Sequence, residues 1–233
     1  MTETTTATPN AVASQASDMM ASKLGQEGMA LLDAQLKLWS ELNGRALYSP
    51  LRESLKAGGG VLPAGTLLHG IRRFSEAVVA SIASRGIMSG ELLGIAEDGE
   101  THGCADFFKM PADMTVREYM AYVMSPIQEG VMRSSRGERL LTRGVAFIVD
   151  PSAEGMSELL THDGYTYPAM QSFINAPSSR TSLDTAAVLG GVPHGAIAGI
   201  LADEQLLKDT NAVQTLRNNF PDTPLLDHSG QLH

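Results

Sequence analysis

Cysteine is nearly absent from this chain: Cys104 is the only one among 233 residues. That excludes an internal disulfide and fits a reducing compartment, so cytoplasmic residence is expected. Aromatic residues are scarce as well, at 5%, which leaves packing to Leu, to small residues and to twelve methionines. Long apolar runs are missing. The stretch GVAFIVD falls far short of the roughly 20 residues that a membrane span needs, so no membrane association is expected. The opening MTETTTATPNAVASQASD has neither a basic start nor an apolar segment, which excludes a secretory signal of the usual kind. Positive charge is outnumbered, 17 to 26, and the net charge of -9 opposes broad affinity for a polyphosphate backbone.

Several motifs are missing too. No GxGxxG follows a strand, and GxxxxGK[ST], GxSxG and HExxH do not occur, which disfavours dinucleotide-fold dehydrogenases, P-loop enzymes, serine hydrolases and zinc proteases. His102, Cys104 and Asp106 alternate and would share one face of a strand, but no second cysteine completes a zinc set, and no metal is expected.

What is present is hydrophobic patterning of both periods. Residues 1–16 lack a burial period and read as a disordered tail. From Ser17, Met20, Leu24, Leu31, Leu32, Leu36, Trp39 and Leu42 recur at helical spacing, with a break expected near Gly25 or Gly28. A second helical piece, 50–57, runs into Gly58-Gly59-Gly60, read as a hinge. Residues 17–60 are thus a helical extension, 61–222 the main domain and 223–233 a loose C-terminal tail. Within the main domain, Thr66-Leu67-Leu68 reads as a strand ending at His69. Phe74, Val78 and Ile82 mark a helix capped by Ser75 and stopped at Arg85-Gly86. CADFFKM reads as a strand with Phe107 or Phe108 inward. Thr115 with Glu118 reads as a capping box, GVAFIVD as a buried strand, 196–201 as a second firm strand, and Asp203 as the cap of a final helical region. The Arg133, Arg136, Arg139 and Arg143 run reads as a solvated connection. Strands and helices mix without strict alternation, so the expected class is α+β.

TLLHGI, a helix, SRGIMSG, a strand with Phe107-Phe108, then GVAFIVD and VPHGAIAGIL together resemble the ADP-ribosyltransferase superfamily, in its histidine-type branch with the poly-ADP-ribose polymerases and DarT toxins. The resemblance spans Pro63 to Leu201. It implies a split mixed or antiparallel β-sheet core with flanking helices behind the N-terminal helical extension, and NAD as substrate. It also implies transfer of ADP-ribose to a macromolecular acceptor, protein or nucleic acid, with release of nicotinamide. By the same resemblance His69 would bind the nicotinamide-side ribose and Gly70 would hold the carboxamide through its backbone. Phe107, Phe108, Tyr165 or Tyr167 would offer a stacking aromatic. The family's transferase glutamate has no counterpart in TSLDTAAVLGGVPHG; Asp184 is the nearest acid, with Glu91, Glu97 and Glu100 as the other candidates. A non-catalytic binding module with the N-terminal helices docking a protein partner, and an RNA 2′-phosphotransferase using Arg72, Arg73 and the arginine run, are the alternative expectations.

Overall fold

A computed structural model describes residues 9–71, 74–90, 92–93, 104–110, 114–116, 145–161, 184–227 and 229–233. Helix α1 (Pro9–Leu42) is broken at Gly25, where φ 66° and ψ -178° leave the helical region, one of the two positions at which the spacing predicts a break. It begins inside the segment expected to be a tail. Helix α2 (Pro50–Lys56) starts on Ser49, whose hydroxyl accepts the Arg52 amide, and has Pro at its first turn where no amide partner is lost. Strand β1 (Val61–Leu62) pairs with β5 (Met114–Thr115), so Thr115 stands opposite Val61 in the ladder and directly precedes helical Val116. Glu118 and the arginine run lie outside the described residues.

The main sheet contains β2 (Leu67–Ile71), β4 (Cys104–Lys109), β6 (Val145–Val149), β7 (Asp184–Leu189), β9 (Ile197–Ala202) and β10 (Leu225–Leu226), in the order β10-β9-β6-β2-β4-β7. All neighbours are antiparallel except β10, which runs parallel to β9. The class is therefore α+β with a mixed sheet. Every residue of β6 and β9 is buried, as a strand covered on both faces requires, which explains why GVAFIV is apolar without alternation.

On one face Leu67, Ile71, Val145, Phe147, Val149 and Ile200 pack under α3 (Glu76–Arg85), α4 (Met156–Thr161), α6 (Thr210–Asn219) and the end of α1. On the other, Leu68, Ala146, Ile148 and Leu201 meet Leu51 and Leu55 of α2. The helices of the 17–60 extension thus complete the cores of the main domain. Gly58–Gly60 is a tight helix exit: the Gly58 amide donates to Leu55 O and the Gly59 amide to Ser54 O. The C-terminal residues expected to be loose instead supply the edge strand. Leu225 and Leu226 register with Ile200 and Leu201, and Leu226 bridges to Leu232. The short helix α5 (Glu204–Leu207) is capped by Asp203, whose carboxylate accepts the Leu206 amide at 2.6 Å.

A buried polar staple fixes α2 to the sheet. Asp150, only 2% exposed at the exit of β6, accepts the Ser49 hydroxyl at 2.6 Å, the Leu51 amide at 3.1 Å, and the Ser152 amide and hydroxyl at 2.9 and 2.6 Å. Arg52 donates to the carbonyls of Leu47, Gly195 and Ile197, tying α2 to the start of β9. A buried carboxylate is tolerated only when its oxygens are fully engaged, and here both are. Replacing Asp150 by Ala orphans two amides and two hydroxyls at once. Asp150→Ala is expected to lose about 3 kcal/mol of stability; urea denaturation checks this, and a loss under about 1 kcal/mol would contradict the staple's role.

Candidate functional site

Strand β2 sits third from one edge of the main sheet, between β6 and β4, so His69 emerges near the middle of the sheet. The pleat alternates its residues: Leu67, His69 and Ile71 face the helices α3, α4 and α6, and Leu68 and Gly70 face α2. His69 is half-buried and stands opposite Phe147 in the β2–β6 ladder, while Gly70 stands opposite Ala146. The His69 ring also leans on Phe107 of β4, with centroids 5.5 Å apart and planes at 56°. Phe107 is buried, so it supports the imidazole and offers no open face for a ligand to stack on. Phe147 meets Phe220 at 5.4 Å, and Phe220 stacks on His194 at 5.4 Å and 29°. A ring pair, His69 and Phe107, and a ring trio, Phe147, Phe220 and His194, thus lie close together, with His69 opposite Phe147 in the ladder.

Helix α3 carries the chain from β2 to Gly86 and into β3 (Ile87–Met88), which pairs antiparallel with β8 (Gly191–Val192). This pairing brings SRGIMSG against LGGVPHG. The approach is closer than any side chain permits. A Cβ on Gly86 would lie 2.2 Å from Val192 O, and one on Gly191 would lie 2.0 Å from Ile87 O. Both residues also have positive φ, 71° and 113°, so glycine is required twice over at each position. Beyond β3, buried Ser89 closes a turn by accepting the Leu92 amide on its hydroxyl at 3.2 Å and the Leu93 amide on its carbonyl at 3.1 Å. Opposite, Pro193 leads into a single 3-10 turn, His194–Ala196, that feeds β9.

Two charged or titratable groups here were not singled out from the sequence. Lys109, 2% exposed, stands opposite Leu67 on one side and Asp184 on the other. Its burial was legible from alternation, because an inward Phe107 implies an inward Lys109. His194 accompanies it: burial first, and then the nearby Arg52 cation, draw its pKa below the ordinary histidine value.

Of the residues expected to build the site, the structure joins His69 and Phe107 and sets Gly70 beside them on the opposite face. Phe108 stands opposite Leu68 in the ladder. Asp184 opens β7, two strands from β2, in register with Lys109. Tyr165, Tyr167, Glu91, Glu97, Glu100, His102, Arg72 and Arg73 lie outside the described residues. Among the described residues no group of three His, Cys, Asp or Glu is placed to hold a metal ion, and no helix is long and apolar enough to cross a membrane. Comparison with models of known families, with curated proteins and with solved structures finds no match.

Two outcomes follow for this region. Gly191→Ala is expected to destabilise the protein by about 3 kcal/mol, because the backbone of β3 cannot move away without breaking the pair; a thermal shift of under a degree would contradict the interlock. For His194, the folded pKa lies below the unfolded one, so its contribution is intact above the unfolded value and is lost as pH falls through about 6.5. The difference in stability between the wild type and His194→Gln, followed by denaturation at a series of pH values, is expected to shrink by at most ~1 kcal/mol per unit below about pH 6.5, after allowance for partial exposure. A difference independent of pH would contradict this assignment.

Proposed function

We propose that this chain is an NAD-dependent ADP-ribosyltransferase that transfers ADP-ribose to a macromolecular acceptor, protein or nucleic acid, and releases nicotinamide. The observation that best supports the reading is the convergence of two distant motifs. The His-Gly strand leads through α3 to GIMSG, and GIMSG pairs by backbone with the GGVPHG segment that opens β9. These are the segments on which the resemblance to that superfamily rests.

The chemistry assigns each residue a task. The bond between nicotinamide nitrogen and ribose C1′ breaks with its electron pair leaving on nitrogen, so nicotinamide departs neutral and positive charge spreads over C1′ and the ring oxygen. An acceptor nucleophile then bonds to C1′ and loses its proton. His69, whose ring is steadied by Phe107, holds the ribose by hydrogen bonding. Gly70 holds the carboxamide through backbone amide and carbonyl, where a side chain would block approach. Asp184 supplies the carboxylate that stabilises the developing charge and takes the acceptor's proton. A half-buried, ring-packed histidine is pre-organised for this task, and positioning of that kind carries much of the rate.

One observation favours a second reading, a module that binds an NAD-like ligand without transferring it: Asp184 opens β7, two strands away from the strand that carries His69, with β4 between them. Two variants separate the readings. His69→Ala is expected to reduce nicotinamide release from NAD at least about a hundredfold while the melting temperature stays within a few degrees. Asp184→Asn is expected to lose release by a similar factor while NAD still raises the melting temperature. Release unchanged in Asp184→Asn would assign the acid elsewhere, and a wild type that millimolar NAD does not stabilise would contradict both readings.

A further inference from the structure

Helix α1 carries an unusual mixture of contacts where it crosses the junction of β7 and β8. Leu32 is buried against Leu189, with Leu36 and Leu92 beside them, and Leu92 lies two residues beyond GIMSG. A Cβ built on Gly190 would touch Leu36 at 3.3 Å, Gln35 at 3.8 Å and Leu32 at 3.9 Å, so the helix lies on the backbone of that glycine. Between these apolar contacts two polar groups are buried with no hydrogen-bond partner among the described residues. Gln35 is 2% exposed and donates to Leu159 O at 2.5 Å, yet its Oε1 accepts nothing, and one helical turn later Trp39 Nε1 donates to nothing. A buried acceptor and a buried donor left unpaired both regain hydrogen bonds to water when the helix lifts, so this docking is weaker than its leucines alone would make it.

The same stretch is bounded by two left-handed glycines, Gly25 at φ 66° and Gly44 at φ 81°. Its C-terminal end is pinned. Leu42 belongs to the main core, the Asn43 side chain donates to Ser84 O at the end of α3, and it accepts the His194 amide. A segment pinned at one end, broken at the other and docked through a partly unsatisfied face is built to peel.

We propose that Met29–Trp39 is a releasable strap across the LGGVPHG segment and the turn that follows SRGIMSG, held down by Leu32 and Leu36 and by the packing of Leu38 and Trp39 on the main core, and biased toward release by the unpaired Gln35 Oε1 and Trp39 Nε1. Its lifting governs access of NAD to the site; this second half rests on the transferase reading.

Hydrogen exchange on the full chain tests the strap directly. Amides of Leu32 to Leu38 are expected to exchange at least about a hundredfold faster than those of Phe147 and Ile200, through an opening that leaves the sheet intact. Leu32→Ala, and the milder Leu36→Ala, are expected to speed the strap amides by about tenfold or more without changing Phe147 or Ile200. Strap amides that exchange at the rate of the sheet in the wild type would overturn the proposal. In the same proteins nicotinamide release is expected to rise several-fold with strap opening, and release that stays constant while the strap loosens would overturn its control of access. Absence of release from all of them contradicts the transferase reading instead, with the exchange result still deciding whether the strap lifts.

Discussion

The constraint on which this structure depends is the contact between two backbones at β3 and β8. Gly86 and Gly191 each present a carbonyl oxygen of the other strand to the place where a side chain would begin. Because the two strands are short, the pair cannot slide to relieve a clash: Ile87 is set on Val192 and Met88 on Gly191. That register fixes where α3 ends, and therefore how β2 is presented relative to the turn that opens β9. The site is the product of a steric exclusion more than of any strong attraction.

Around that crossing the chain uses few aromatics and few buried charges, each in a defined place. Three of its six phenylalanines pack against histidines or one another: Phe107 against His69, and Phe220 between Phe147 and His194. Tilted and stacked rings favour specific geometries over a loose hydrophobic contact, which sets the imidazoles in place within a core otherwise built of adaptable Leu and Met. Asp150 and Arg52 do for α2 what the rings do for the histidines. They saturate the ends of β6 and β9 with hydrogen bonds, so α2 closes one sheet face with Leu51 and Leu55 while its polar end is fully paired.

Elements whose signal is local were legible in the sequence. GVAFIVD reads as a strand because an uninterrupted apolar run of that length is what two covered faces demand, and the end of α3 follows from Arg85 and Gly86, while Ser75 holds the N-cap position without a side-chain cap bond. Asp203 was legible as a cap for the same reason. Elements defined by a distant partner were not. Leu225-Leu226 is too short to carry a period and becomes a strand only because the edge of β9 is there to receive it. The pairing of Met114-Thr115 with β1 was likewise invisible, because two residues carry no strand period. The three glycines at 58–60 look like a linker, yet Leu51 and Leu55 ahead of them belong to the core. For the candidate site, His69 and Gly70 rest on a motif and the burial of Lys109 follows from alternation, while its register with Asp184 required the sheet. Composition in TSLDTAAVLGGVPHG names an acid but does not say what stands across from it.

The account's central claim, that the His69–Gly70 strand is where NAD is held, is tested most directly by histidine-resolved NMR of the full chain, with resonances assigned through His69→Ala and His194→Gln. Titrating NAD is predicted to shift and then saturate the His69 ring signal, with nicotinamide alone perturbing it less because the ribose contact is missing. A His69 signal that does not move while NAD is added to millimolar concentration would contradict the claim.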